Sequence, residues 1–335
     1  MNDSTSLPWR DLTDPRKAVG RDDLESHLKE PIFENLDIPE ELGPVTIIVD
    51  DHKIKRFAFT QNDYNPWYMT AGPDGGPRWG HPCLLGNDLL QLFTTRYKAS
   101  ATVGFHTEEQ TWFDNPVRLG ERVTLSGRYV EAYERRGQGY VVMEAQAIAE
   151  DGRSIIRHRG VEILRTIPGL IAGRGASEST ERKVTGETPP DARTIERISE
   201  NTRVGDVLRP MEKVFAAEQT AVFSRIGEFI RNTHNDFATA RAAQLPTVIV
   251  QGQQQYGAMA ELMAQAFGIS WFTGGWLRMK FVNPLDVFVP VTFSGLVTAI
   301  HADEKGGQRY ELECWARRMS DNRLTAVGWA SCSGS

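Results

Sequence analysis

Two stretches of the chain carry residues able to move protons. "DYNPWY", residues 63–68, sets the carboxylate of Asp63, the pair Asn65-Pro66 and the phenol of Tyr68 ahead of "GPDGGPRWGHPCLLG", which ends at Gly86. "RNTHND" sets the imidazole of His234 ahead of "QLPTVIVQG", which ends at Gly252. A neutral imidazole and a carboxylate that reach one water can activate it and deliver a proton to carbon. A glycine at the start of a helix lets the backbone approach closely, and its amide can hold a developing oxyanion. Each residue also has a plainer reading. Asp63 could hold the loop before Asn65-Pro66, as Asp and Asn do in turns. His234 could be a surface or capping histidine in a polar run, and Asp236, just before "FATARAA", reads as a helix cap.

The bulk of the sequence bounds what such groups could serve. With 335 residues, 40% hydrophobic and 24% charged, the chain suggests two ordinary domains with packed cores. Its net charge is −6 and it has no long basic run, which argues against a general nucleic-acid binder. No apolar run approaches a membrane span. "MNDSTSLPWRDL" lacks the basic and apolar regions of a signal peptide. Cys83, Cys314 and Cys332 are too few and too scattered for a disulfide framework or a metal site. A cytoplasmic enzyme without metal or redox cofactor is the expectation, since no Gly-rich dinucleotide loop follows a strand either.

The elements that must position these residues occur twice. "FDNPVRLGERVTLSG" from Phe113 and "FVNPLDVFVPVTFSG" from Phe281 share seven of fifteen positions without a gap, at an offset of 168 residues. Gly-Gln-x-Tyr then recurs at Gly137 and Gly307. We read a duplication: an extension over 1–44, copy one over 45–166, a Gly/Ser/Thr/Glu/Pro-rich linker over 167–204 and copy two over 205–335. In each copy a short strand such as "VTIIV" from Val45 precedes a helix, the motif, a loop and a long apolar helix. In copy two Tyr256, Met259, Ala260, Met263 and Phe267 mark one buried face of that long helix. Alternating segments follow, such as "RVTLSGRYVEAY", "GYVVMEAQAIAE" and "SIIRHRGVEILR", separated by Gly-containing turns. They predict antiparallel strands and an α+β unit in which a sheet wraps one helix. An open sheet edge on each copy predicts that the copies join edge to edge as a pseudo-dimer.

With both copies in view, the chain resembles the MaoC-type hydratases and dehydratases in their double-hotdog form. That family carries Asp-x-Asn-Pro-x-His, followed eighteen residues after the His by a Gly whose amide holds a thioester oxygen. Here Asp63, Asn65 and Pro66 match, Tyr68 stands in place of the His, and eighteen residues on is Gly86. In copy two His234 fits the family histidine and Gly252 lies eighteen residues after it, but Phe229 stands where the acid belongs. Arg231 and Asn232 replace the Asn-Pro. One copy keeps the acid and the other keeps the histidine.

The resemblance implies hydration of a 2-enoyl-CoA, or dehydration of a 3-hydroxyacyl-CoA, with the CoA thioester as substrate and partner. The working site would be His234 and Gly252. Copy one, with Asp63, Tyr68, Asn65 and Gly86, would be the remnant that houses the acyl tail. Trp79 and Trp276, near the motif loops with Trp67 and Trp271, are candidates to line that tail, or are packing. Arg78, Arg278 and Lys280 are candidates for CoA phosphates, or are solvated charges. Neither nucleic acid nor membrane is an expected partner. A homodimer, or a hetero-oligomer with a catalytic subunit, is the expected assembly. Two rivals stand beside this reading. One is a hotdog thioesterase using Glu261 on the central helix, a residue whose simpler role is an exposed helix charge. The other is a non-catalytic acyl-CoA-binding subunit.

Overall fold

A computed structural model describes residues 25–102, 104–165, 183–224, 231–303 and 306–334. In copy one, strand β1 (Glu40–Ile48) leads into helix α1 (Asp51–Gln61), the short helix α2 (Pro66–Met69) and helix α3 (Gly86–Leu90). Strands β2 (Gly104–Phe113), β3 (Arg122–Arg135), β4 (Gln138–Ala149) and β5 (Ser154–Leu164) follow. Short strands β6 (Thr194–Ile195), β7 (Val207–Leu208) and β8 (Met211–Lys213) lead to helices α4 (Ala217–Phe223) and α5 (Phe237–Ala242). Helix α6 (Gly252–Phe267), helix α7 (Ile269–Phe272), and strands β9 (Trp276–Phe281), β10 (Val291–Ala302), β11 (Gln308–Arg318) and β12 (Leu324–Ser333) complete copy two.

The strands form one sheet in the order β1-β3-β4-β5-β2-β9-β12-β11-β10-β7-β6, with β8 on β10. The copies join edge to edge through β2 and β9, as the repeat leads one to expect. In β3 the alternation puts Val123, Leu125 and Tyr129 on the covered face. In β9 it covers Leu277 and Met279 and turns Trp276, Arg278 and Lys280 to the opposite face. Helix α3 rests on β3, β4 and β5, whereas α6 rests on β10, β11 and β12 and reaches across the seam to β2.

The two central helices differ more than the repeat suggests. Helix α6 runs sixteen residues, is rich in Ala, Met, Leu and Gln, and ends at Gly268 with φ +61°. It is buried on nearly all faces, not on one stripe, because α1 packs across its other side. Glu261 is therefore not an exposed helix charge: it is buried and paired with Lys213. Its counterpart in copy one is not long. Helix α3 has five residues and gives way to a 3₁₀ turn over Gln91–Thr95. There the hydroxyls of Thr94 and Thr95 donate back to the carbonyls of Gln91 and Leu92, and β-branched Thr is a poor helix former.

Helix α1 is tied to copy two through its C-terminal carbonyls. Asp50 caps its start by accepting from Lys53 N–H, and Asn62, with φ 50°, ends it. Gln254 donates to the carbonyl of Thr60, and Lys213 Nζ donates to those of Gln61 and Asn62 at 2.9 and 3.1 Å. A cation on the last carbonyls also suits the helix dipole.

Candidate active site

The motif of copy one forms a sealed polar cluster. Asp63 Oδ1 accepts from Asn65 N–H at 3.2 Å, and Asn65 caps α2 by accepting from Trp67 N–H at 3.0 Å. Pro66 takes the first helical position, which needs no N–H. Asn65 thus serves as a cap, and half of the Asp63 carboxylate serves the turn. The other oxygen lies 3.8 Å from Nε2 of His81. Tyr68 is fully buried and stands edge-on to the His81 ring. Cys83 N–H donates to His81 Nδ1, so the neutral ring carries its proton on Nε2. Burial, reinforced by the charge of Lys213, holds the His81 pKa down to about 3. His81 therefore carries its proton on the nitrogen that faces Asp63, beyond hydrogen-bond distance, and has no free lone pair to act as a base. Burial raises the Asp63 pKa, and Lys213 opposes it.

The glycine of this copy is already engaged. Gly86 N–H donates to the carbonyl of Cys83 at 3.0 Å, and a Cβ at Gly86 would meet nothing within 4 Å. Trp79 does not line an open tail site. It is 4% exposed and packs edge-on against Trp67 and Phe272, in the core between the copies. Trp276 is on the sheet face opposite α6, paired across the seam with Trp112. Arg78 pairs with Asp51, and Arg278 pairs with Glu108 at 2.6 Å and lies over Trp329. Trp271 is fully buried.

Copy two is arranged differently. The loop carrying His234 is laced to the segment that enters α6: Ile249 N–H donates to the Thr233 carbonyl, and His234 Nδ1 meets the Ile249 carbonyl at 2.8 Å. A carbonyl only accepts, so Nδ1 carries the proton and Nε2 of the neutral ring has the lone pair. The ring is half-buried, and burial lowers its pKa against the opposing pull of the Ile249 carbonyl. Three residues after Ile249, Gly252 opens α6, and a first helical residue has no intrahelical partner for its N–H. A Cβ there would strike the Phe281 ring at 2.8 Å. Asp236 caps α5, accepting from Thr239 N–H and Oγ1 at 2.8 and 2.6 Å. Phe229 and Glu228, at and beside the position of the missing acid, lie outside the described residues.

The overall fold has known relatives in shape. No protein-family model matches the sequence, and no curated protein matches it. A solved structure described as a MaoC-like dehydratase superposes with a TM-score of 0.63 at 14% identity, covering 93% of this chain and 100% of its own. A conserved hypothetical protein from Mycobacterium tuberculosis, described as having a double hotdog fold, superposes at 0.62 with 13% identity, covering 91% and 98%. The fold is a double hotdog. The MaoC-like dehydratase from Phytophthora capsici superposes on it at 0.60 with 12% identity, covering 88% of this chain and 96% of its own.

Sequence reasoning missed two groups in this double hotdog. One is His81 with Lys213 around Asp63. The other is a trio beneath α6, the buried Glu109 and His158 with the half-buried His106. A signal existed for the second: in β2 the period of two puts Glu109 on the same face as Phe113, so the acid had to be buried and paired. No helix among the described residues is long and apolar enough to cross a membrane.

Proposed function

We propose that the chain hydrates a 2-enoyl thioester, or runs the reverse dehydration, at the copy-two site. The observation that carries this is that the His234 loop is hydrogen-bonded to the segment that leads into Gly252. One hydrogen bond, to the carbonyl of Ile249 three residues before Gly252, fixes the imidazole tautomer and leaves Nε2 basic, and Gly252 itself opens α6 with an amide that has no intrahelical partner. In the hydration direction Nε2 takes a proton from water and the water oxygen bonds to carbon three. The π pair moves toward the thioester oxygen, which Gly252 N–H stabilises as it gains charge. The imidazolium then returns a proton to carbon two, so atoms and charge balance. The resemblance to solved MaoC-like dehydratases in overall shape supports the class of reaction.

Two observations weaken the thioesterase reading. Glu261 lies nine residues beyond Gly252, about 13 Å along the helix. Its carboxylate is also occupied by Lys213 at 2.6 Å. The reading of an acyl-CoA-binding subunit keeps one specific support, Phe229 at the position of the acid.

The test is a panel of 2-enoyl-CoA and 3-hydroxyacyl-CoA thioesters assayed in both directions, with free CoA measured alongside. Interconversion without CoA release is the expected result. Release of CoA would replace the reading with thioester hydrolysis. Binding without turnover would replace it with the binding subunit.

A further inference from the structure

The seam between the copies has an internal two-fold. The repeat offset of 168 carries Gln110 onto Arg278, and Gln110 pairs with Arg278. Counting outward from that pair, Glu109 corresponds to Leu277 and Thr111 to Met279. His158 pairs with Thr111, and Gly328 pairs with Met279, so His158 corresponds to Gly328. By the same offset His106 corresponds to Gly274. Three polar side chains of copy one thus have no polar counterpart in copy two.

Those three side chains converge on the start of α6. Glu109 is 1% exposed. Its Oε1 accepts from His158 Nδ1–H at 2.6 Å and its Oε2 accepts from Gln253 Nε2–H at 3.2 Å, while Nε2 of His106, hydrogen-bonded to the Glu108 carbonyl at 2.9 Å, lies 2.9 Å from the same Oε2 as an ion-pair contact. The Gln253 amide also reaches the Gly86 carbonyl at 3.4 Å. The His106 ring stands edge-on to Phe281, the ring that a Cβ at Gly252 would strike. The network therefore touches both of the first two residues of α6, one through Phe281 and one directly. Burial alone would raise the Glu109 pKa, but His158 and His106 together outweigh burial and bring it to about 2. An ionised carboxylate held by an imidazole N–H and an amide N–H, with a second imidazole beside it, is a fixed anchor.

We propose that Glu109 is a positioning residue for this site: by holding Gln253 it fixes the first turn of α6, so that the Gly252 amide points at the oxygen it must stabilise. The inference rests on the reading of Gly252 as the oxyanion donor. It also gives the asymmetry of the seam a purpose, because Leu277 offers α3 no such anchor. A misplaced donor weakens the transition state more than substrate binding.

Glu109→Gln and Gln253→Leu test it, singly and together, with melting curves for each. Gln253→Leu leaves the contacts of Glu109 with both histidines intact, so it serves if Glu109→Gln does not fold. Steady-state turnover of the best enoyl-CoA should show kcat down about 10- to 100-fold with KM changed less than about twofold. The double variant should be no worse than either single, as two members of one contact require. Deuterium exchange should quicken in residues 247–256 and stay unchanged in 86–95. Wild-type kcat and wild-type exchange in Gln253→Leu would overturn the proposal, as would a change in KM alone. If the wild-type protein turns over no enoyl thioester, the proposed function fails, and the exchange arm by itself decides whether Glu109 positions the helix start.

Discussion

The two copies descend from one pattern, yet they have divided its parts. Copy one has the acid and a buried, proton-bearing histidine, a central helix of five residues, and a glycine whose amide is bonded to Cys83. Copy two has a histidine whose Nδ1 is bonded to the Ile249 carbonyl, a sixteen-residue helix, and a glycine at its first position. The difference teaches that matching letters and matching surroundings are separate things. Asp63 matches the family letter, and one of its oxygens serves the turn before Asn65 while the other is buried 3.8 Å from His81. His234 lacks the letters around it, but its hydrogen bond gives it the right tautomer.

The largest effect should separate the copies outright. His234→Ala should cost a factor of about a hundred to ten thousand in turnover, the usual range for a lost general acid or base, with the melting temperature little changed. Asp63→Asn and Tyr68→Phe should each cost far less. Near-normal turnover in His234→Ala, with collapse in either of the others, would reverse the assignment.

Gly252→Val comes next. Its side chain would meet Phe281 and displace the helix start, so turnover should fall by about a hundred- to a thousandfold, as for loss of one oxyanion donor. Gly86→Val should matter much less, since its Cβ enters open space and its amide is engaged already. Equal losses in two folded variants would place the oxyanion donor wrongly.

A third comparison reads stability. Lys213→Met leaves Glu261 buried without its cation and the carbonyls of Gln61 and Asn62 without a donor. It should lower the unfolding free energy by about 3–5 kcal/mol in denaturant titration. Glu261→Gln should cost less. Burial, with Asp63 nearby, already lifts the Glu261 pKa to about 7, so part of the population is neutral at that pH. A Lys213→Met protein as stable as the wild type would show that the tie between α1 and copy two is dispensable.

The smallest effect is in pH. Burial holds the His234 pKa below its ordinary 6.5, and the proposed base must be neutral. Hydration kcat/KM should therefore hold as pH falls through 6.5 and decline only below it. The stability linked to this histidine has the same sign, being fully present above 6.5 and lost as pH falls through the folded-state value. A kcat/KM limb above 6.5 that persists in Asp63→Asn would contradict the assignment.

Much of this was readable in the sequence. Two aligned blocks revealed the duplication, and period-two alternation marked strands such as β3 and β4. Asp236 was correctly read as a cap from its place before "FATARAA". Other features depend on what packs against them, which no local pattern states. Glu261 looks like a surface charge until Lys213 arrives from β8. Trp79 looks like a pocket wall until Phe272 arrives from the other copy. The helix of copy one looks long because "LLQLF" is apolar, but the threonines after it draw the chain into a 3₁₀ turn. Glu109 was overlooked because its partners, His106 and His158, lie on two strands and Gln253 on a helix 144 residues away.

The two-fold at Gln110 and Arg278 has a further consequence. In a dimer of separate identical chains, a carboxylate at the seam is necessarily present twice, and two buried anions would call for four histidines. Joining the halves in one polypeptide removes that doubling. Each half can accept a substitution that its twin never sees, while synthesis as a single chain keeps the two at a strict one-to-one ratio. A Glu at one seam position and a Leu at its two-fold mate is an arrangement that a dimer of identical chains cannot adopt.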